Sequence, residues 1–82
     1  ISNNENVENI IEYNELVTLL NEFIEKLPIN KKKIFLDRYW YLNSIKDISL
    51  KNKISENSVK VILYRLRNEL KDFLIERGLI YE

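Results

Sequence analysis

SIKDISLKNKISENSVKVILYRLRNELKDFL (residues 44–74) is the stretch that decides the fold of this chain. Ser44 and Ser55 each precede a run of apolar residues at helical spacing. Serine is favoured at the start of a helix because its hydroxyl accepts a backbone N–H that has no partner within the helix. The stretch therefore predicts a short helix after Ser44 and a long helix over residues 56–77, which Gly78 ends.

The junction between these two helices has the spacing of a helix-turn-helix. In that unit two helices cross steeply, so a small residue lies at their contact, a turn follows four residues later, and an apolar residue fills the space beneath the turn. Ser49, Lys53 and Ile54 occupy these places, and Val59 and Ile62 take the inward positions of the second helix. An ordinary helical bundle, which also joins capped helices by short turns, is the alternative.

The turn departs from the usual pattern at Lys53. Glycine is favoured at this position because it adopts a positive φ without steric cost, whereas another residue loses on the order of 1 kcal/mol. Asn52 is the alternative residue for the left-handed conformation, since asparagine tolerates it.

Two more helices are predicted before this stretch. Residues 1–6 have no periodic apolar pattern and are predicted to be a frayed terminus or the end of a linker. From there to Leu27 apolar residues recur at helical spacing, and Pro28 ends this first helix because proline lacks a backbone N–H. A second helix is predicted from Asn30, as its N-cap, to about Tyr41. The predicted fold class is all-α, a four-helix domain containing a helix-turn-helix without winged elements.

The composition excludes several classes of chemistry. At 82 residues the chain is long enough for one domain with a single core, which we assign to residues 7–82. It has no cysteine and no histidine, so disulfides, zinc fingers and histidine-based catalysis are excluded. Gly78 is the single glycine, so a glycine-rich phosphate-binding loop cannot form. We therefore expect that the chain is not an enzyme. We also expect that it has no catalytic residue and binds no cofactor, metal or small-molecule substrate.

The sequence also bears on location. No apolar run approaches the roughly 20 residues of a membrane span, and residues 1–11 lack the basic flank of a signal peptide. We expect a cytoplasmic protein that does not bind membranes. Because the chain begins at Ile1 and not at a methionine, we also expect it to be part of a longer protein.

The charges are separated along the chain. The formal net charge is zero, yet residues 1–25 contain six glutamates and neither lysine nor arginine, so all 13 basic residues lie in residues 26–82. The basic part can therefore contact nucleic-acid phosphates despite the neutral total.

The solvent face of the long helix carries most of the candidate DNA-binding residues. At about 100° per residue, the positions opposite the apolar stripe are Asn57, Lys60, Val61, Tyr64, Asn68 and Lys71, with Ser58 and Arg65 along one border and Arg67 along the other. The candidate DNA-binding residues among them are Asn57, Ser58, Lys60, Val61, Tyr64 and Arg65. Lysine and arginine can donate to guanine or phosphate, asparagine pairs with adenine, and Val61 can contact a thymine methyl group. An ordinary solvated helix surface is the alternative, but exposed Val61 and Tyr64 are poor choices for one.

Other candidates lie at the starts of the last two helices and in the turn. Ser44, Lys46 and Ser55 complete the set of candidate DNA-binding residues, and Lys51 and Lys53 can, like Lys46, reach flanking phosphates.

Two further groups favour structural roles. The three lysines at residues 31–33 are typical of a solvated helix end, and the aromatic residues 39–41 are assigned to the core in preference to a stacking platform.

Several blocks of the sequence follow one another in an order known from a protein family. They are residues 27–28 (LP), 34–36 (IFL) with 38–40 (RYW), 44–48 (SIKDI), 54–60 (ISENSVK) and 63–67 (LYRLR). In this order they resemble region 4, the C-terminal domain, of bacterial sigma-70-family RNA polymerase sigma factors, and most closely the extracytoplasmic-function type. The resemblance covers residues 27–74, and the ordered set is more specific than any single block.

This resemblance implies a function and partners. Region 4 binds the −35 promoter element through its last helix, its apolar surface holds the flap of the RNA polymerase β subunit, and an anti-sigma factor commonly competes for such surfaces. By resemblance, Lys60, Val61, Tyr64 and Arg65 match base-facing and phosphate-facing positions, and Asn57 and Ser58 match the approach to the DNA backbone. The resemblance also implies an N-terminal half that recognises the −10 element.

Departures from the family pattern leave the promoter sequence open. Val61 replaces a usual small polar residue, Ile62 a commonly basic one, and Lys53 the turn glycine.

A response-regulator type of helix-turn-helix, which shares the run at residues 55–60 and usually dimerises through an additional helix, is one alternative function. A bundle that binds only proteins is another. The acidic first helix joined by Leu-Pro favours the sigma-factor interpretation.

Overall fold

The computed structural model describes the backbone of residues 3–79 and the side chains of residues 13–79, and these residues form four α-helices and no strand. The helices are α1 (Asn3–Glu25), α2 (Ile29–Tyr39), α3 (Ile45–Asn52) and α4 (Glu56–Glu76). The all-α prediction with four helices is thus confirmed. In this part of the chain no helix offers an apolar stretch sufficient to cross a bilayer.

The first helix differs from the sequence prediction at both ends. It begins at Asn3 and so includes most of the segment predicted to be a frayed terminus or linker; residues 1–2 lie outside the described part of the chain. Residues 3–6 contain neither glycine nor proline, the two residues that oppose a helix most strongly, so a helix that has formed further along can extend back through them. At the other end α1 stops at Glu25, before Leu27.

Pro28, and not Asn30, is the N-cap of α2. Its φ of −56° and ψ of 149° are those of a non-helical residue, and its carbonyl accepts the N–H of Lys32 at 2.9 Å. An N-cap carbonyl makes the first hydrogen bond of a helix without needing a side chain, which explains why the prediction based on the Asn30 side chain was wrong. The helix ends at Tyr39 and does not reach Tyr41.

Helix α2 ends because the chain reverses at Leu42. The N–H groups of Trp40 and Tyr41 both donate to the carbonyl of Leu36, at 2.8 and 3.0 Å, and Leu42 then adopts a φ of 57°. The N–H of Asn43 returns to the carbonyl of Asp37 at 2.8 Å. This closure directs the chain into α3.

The core lies where α2, α3 and α4 meet. Its centre is a cluster of Ile34, Ile48, Val59 and Leu63, all at most 3% exposed, and Ile45, Ile54 and Ile62 pack against it. Val59 and Ile62 were predicted to take inward positions in the last helix, and their places in this core confirm this. Complete burial of one such aliphatic side chain contributes about 1.5–3 kcal/mol, so this cluster holds α3 against α4.

Ser44 and Ser55 are the predicted helix caps. The Ser44 Oγ accepts the N–H of Asp47 at 3.0 Å, and the Ser55 Oγ accepts the N–H of Ser58 at 3.0 Å. Both serines have extended backbone angles, as N-cap residues do. The two local predictions are therefore confirmed.

The turn after α3 is closed by Lys53 in the left-handed conformation, with φ 57° and ψ 42°. The N–H of Ile54 donates to the carbonyl of Ser49 at 3.1 Å, which is the hydrogen bond that ends many helices at a glycine. Asn52 remains helical, and its side chain donates to the carbonyl of Ile48 at 2.8 Å. The alternative of a left-handed Asn52 is therefore wrong, since its side chain is used to hold the last turn of α3.

Helix α1 is attached to the other helices by aromatic contacts. The ring of Phe23 lies 6.1 Å from the ring of Phe35 in α2 and 5.7 Å from that of Phe73 in α4. Arg77 lies over the Phe73 ring and pairs with Glu22 at 2.8 Å. Beyond Arg77, Gly78 has a φ of 77°, so it ends α4 as predicted.

Candidate nucleic-acid interface

The first half of α4 combines a buried stripe with an exposed polar face. Val59, Leu63 and Leu66 are at most 2% exposed and hold the helix against the core. The predicted DNA-binding positions on the opposite face, Asn57, Ser58, Lys60, Val61, Tyr64 and Arg65, are all exposed. The structure therefore brings these six positions together on one accessible surface, which we call the α4 face.

The α4 face has an apolar centre between cationic borders. Asn57, Val61 and Tyr64 recur at intervals of four and three residues, so they form one row along the helix. At about 100° per residue Lys60 lies to one side of this row and Arg65 to the other. A groove lined by phosphates would meet a cation on each side of the row.

Acidic side chains are absent from residues 58–68 of α4. Residues 58–68 contain Lys60, Arg65 and Arg67 but no aspartate or glutamate, whereas residues 69–76 contain both signs of charge. The positive potential is thus concentrated in the N-terminal half of the helix. This half also carries the positive end of the helix dipole, which favours an anionic partner.

The N-terminal end of α4 holds its two serines in a fixed arrangement. The Ser55 hydroxyl donates to the Ser58 Oγ at 2.9 Å while it accepts the Ser58 N–H. A serine hydroxyl has one donor and two acceptor sites, so Ser58 retains a hydrogen to donate outward. Such a hydroxyl at a helix start suits a phosphate oxygen.

The lysines of α3 and the turn differ in their surroundings. Lys46 and Lys53 are exposed, as phosphate contacts require. The Lys51 Nζ instead lies 3.4 Å from the Oδ1 of Asp37, whose residue is only 8% exposed. A contact from Lys51 to DNA would have to compete with this pair, so Lys46 and Lys53 are the better candidates. Ser44 is also exposed, and its Oγ accepts the N–H of Asp47 as the cap of α3.

The sequence predicted that the aromatic residues 39–41 lie in the core, but the structure exposes them. Tyr39 is 43% exposed, Trp40 74% and Tyr41 66%, and Leu42 beyond them is 79% exposed. The prediction was wrong because α2 ends at Tyr39 and the chain then reverses, so the helical face no longer applies to the following residues. A positive φ at a bulky residue such as Leu42 is rare, and nothing in the sequence indicates that the chain reverses there.

These aromatic residues border an apolar groove between α1, α2 and α4. The groove has a volume of about 770 Å³. It is lined by Tyr13, Leu16, Val17, Leu20, Asn21 and Ile24 from α1, by Phe35, Leu36, Tyr39, Trp40 and Tyr41, and by Arg67 and Leu70 from α4. We call it the aromatic groove. Exposed apolar surface of this kind is typical of a protein-binding site.

Arg67 belongs to the aromatic groove and not to the α4 face. Its guanidinium donates to the Tyr39 hydroxyl at 2.8 Å. The sequence placed Arg67 at the border of the polar face, and only the packing of α2 beside α4 decides which side it joins.

No protein-family model, curated protein or solved structure matches this chain. Among the described residues there is no cluster of three or more aspartates or glutamates that could hold a metal ion.

Proposed function

We propose that this chain is a helix-turn-helix DNA-binding domain equivalent to region 4 of a bacterial sigma factor. It recognises the −35 promoter element with the α4 face and docks on the β flap of RNA polymerase. The observation that carries this proposal is the α4 face itself: an exposed row of base-contacting side chains between Lys60 and Arg65, free of acidic residues over positions 58–68. Base contacts need such side chains, and their orientation needs phosphate contacts on both sides.

The junction of α3 and α4 supports the helix-turn-helix part of the proposal. Ser49 is 9% exposed and donates its hydroxyl to the carbonyl of Ile54, so a small residue lies at the helix contact. Lys53 has the left-handed backbone expected of the turn, and Ile54 packs against the core. These are the features that the motif requires for its second helix to enter the major groove.

The aromatic groove supports the docking part of the proposal. A domain that only bound DNA would not need exposed Trp40 and Tyr41 beside an apolar groove, because such surface adds to the risk of aggregation. The β flap of RNA polymerase occupies this surface in the proposed complex, and an anti-sigma factor competes for it. Transcription takes place in the bacterial cytoplasm, so the proposal includes a cytoplasmic location and no enzymatic activity of the domain.

Removal of either cation beside the row is the direct test of DNA binding. DNA selected from a random pool by the whole chain would be labelled, and its dissociation constant measured by fluorescence anisotropy over a range of salt concentrations. Lys60→Ala and Arg65→Ala are each expected to weaken binding by about 1–3 kcal/mol and to reduce the steepness of the salt dependence, because each removes a phosphate or guanine contact.

Lys26→Ala is the matched control, since Lys26 is an exposed lysine in the turn after α1, 3.9 Å from Glu22 and outside the α4 face. It loses the same charge and should bind the selected DNA like the unaltered chain. Selection of no preferred sequence, or full affinity in both the Lys60 and Arg65 variants, would contradict the proposal.

A further inference from the structure

The centre of the α4 face is apolar although it is exposed. Val61 is 39% and Tyr64 61% exposed, and neither lines the aromatic groove. Valine is a weak helix former, and at an exposed helical position a lysine, glutamate or glutamine would be more stable. Neither side chain belongs to the buried cluster of the core, so contact with another molecule would account for an apolar pair at this position.

The surroundings of Val61 and Tyr64 indicate which molecule this is. Lys60 and Arg65 border the pair, and Asn57 precedes it by one turn on the same row. An apolar protein surface would have to desolvate these cations and the asparagine without pairing them, which is costly. The DNA major groove offers phosphates at its edges, hydrogen-bonding base edges at its floor and one apolar group, the C5-methyl of thymine.

We infer that α4 distinguishes thymine from cytosine by its methyl group, through Val61 and Tyr64. This inference rests on the proposed DNA binding and adds the base chemistry that the site recognises. Val61 contacts the methyl group of one thymine and the Tyr64 ring that of a second. Val61 and Tyr64 are three residues apart, which corresponds to a rise of roughly 4.5 Å along the helix. This distance is closer to one step between base pairs, about 3.4 Å, than to two steps. The two thymines therefore belong to neighbouring base pairs.

The test replaces thymine by uracil, which removes the methyl group and leaves the hydrogen-bonding edge unchanged. In the DNA selected by the whole chain, each thymine would be replaced singly by deoxyuridine and the dissociation constant measured by anisotropy. At two neighbouring positions we expect binding about fourfold weaker, the effect of one lost apolar methyl contact. Uracil at the other thymines should leave binding unchanged.

Val61→Ala assigns one of these positions to its residue. This variant should bind thymine-containing DNA about as weakly as the unaltered chain binds the corresponding uracil DNA. It should also lose its sensitivity to uracil at that position alone. Ile29→Ala is the matched control, because Ile29 is a β-branched residue, 71% exposed, in the first turn of α2; it should retain both uracil effects. Circular dichroism would verify that each variant is folded.

The outcomes separate this inference from the proposed function. Uracil without effect at every thymine, combined with weaker binding of Lys60→Ala, would overturn the thymine inference and leave DNA binding intact. Absence of any selected sequence would overturn both. If Val61→Ala bound DNA normally but no longer captured a protein partner, the apolar pair would be a protein contact and the inference would be wrong.

Discussion

At the scale of single residues, Lys53 places a positive charge in the turn at a position where glycine would be more stable. A lysine with φ 57° loses on the order of 1 kcal/mol relative to a glycine, and its exposed ammonium lies in the turn that precedes α4. The family to which this sequence has a resemblance uses glycine at this position. The residue therefore makes sense if its charge contacts the DNA backbone.

Lys53→Gly should separate these two effects. We expect the free energy of unfolding to rise by about 0.5–1 kcal/mol, since relief of the left-handed strain exceeds the added entropy of glycine in the unfolded chain. Affinity for the selected DNA should fall, because a phosphate contact is lost. Urea denaturation and anisotropy measure the two quantities.

Lys53→Ala is the control for the charge alone. It keeps the strained backbone, so its stability should equal that of the unaltered chain while its DNA affinity falls as far as that of the glycine variant. Equal DNA binding by all three proteins would mean that Lys53 does not contact DNA.

At the scale of helices, the contact between α3 and α4 depends on a small side chain. Ser49 is 9% exposed, and its hydroxyl is bonded to the carbonyl of Ile54. Ile48 of α3 and Val59 of α4 are completely buried, so the space between these helices for a larger side chain is limited. The closeness of α3 and α4 therefore depends on the small side chain at this position.

Ser49→Leu is expected to lower the free energy of unfolding by about 1–3 kcal/mol, because the added atoms force the two helices apart. Ser49→Ala should cost only about 1 kcal/mol, the net value of the lost hydrogen bond. The measurement is urea denaturation, with Thr18→Leu on the exposed side of α1 as a control that should stay within about 0.5 kcal/mol. A leucine tolerated as well as alanine would show that α3 and α4 do not meet closely at this residue.

At the scale of the whole molecule, the two proposed binding surfaces use different sides of α4. Lys60, Val61 and Tyr64 form one side, whereas Arg67 and Leu70 belong to the aromatic groove together with α1 and α2. If both proposals hold, a single small domain contacts promoter and polymerase at the same time.

Trp40→Ala is expected to separate the two surfaces. Trp40 is 74% exposed and contributes little to the core, so the fold and the affinity for DNA should be retained. Binding to a purified RNA polymerase β-flap fragment should fall about tenfold or more, as is typical when a central aromatic contact is removed. Lys60→Ala should give the reverse pattern. Unchanged flap binding in Trp40→Ala, or failure of the unaltered chain to bind the flap, would contradict the docking proposal.

The sequence by itself determined the presence of four helices, the N-caps of α3 and α4 and the inward stripe of α4. Ser44, Ser55 and Gly78 act through hydrogen bonds and dihedral angles within a few residues of their own position, so their effects can be predicted locally. The exposure of Lys60, Val61 and Tyr64 follows from the helical period in the same way.

Only the tertiary structure decided which surfaces lie beside one another. It turned Arg67 toward Tyr39, paired Lys51 with Asp37, and opened residues 39–41 to solvent. These features depend on contacts between residues far apart in the chain and on the reversal at Leu42, where a bulky residue takes a positive φ against its own preference. Packing across elements overrides local preference, and for that reason the aromatic groove became visible only after the helices were assembled.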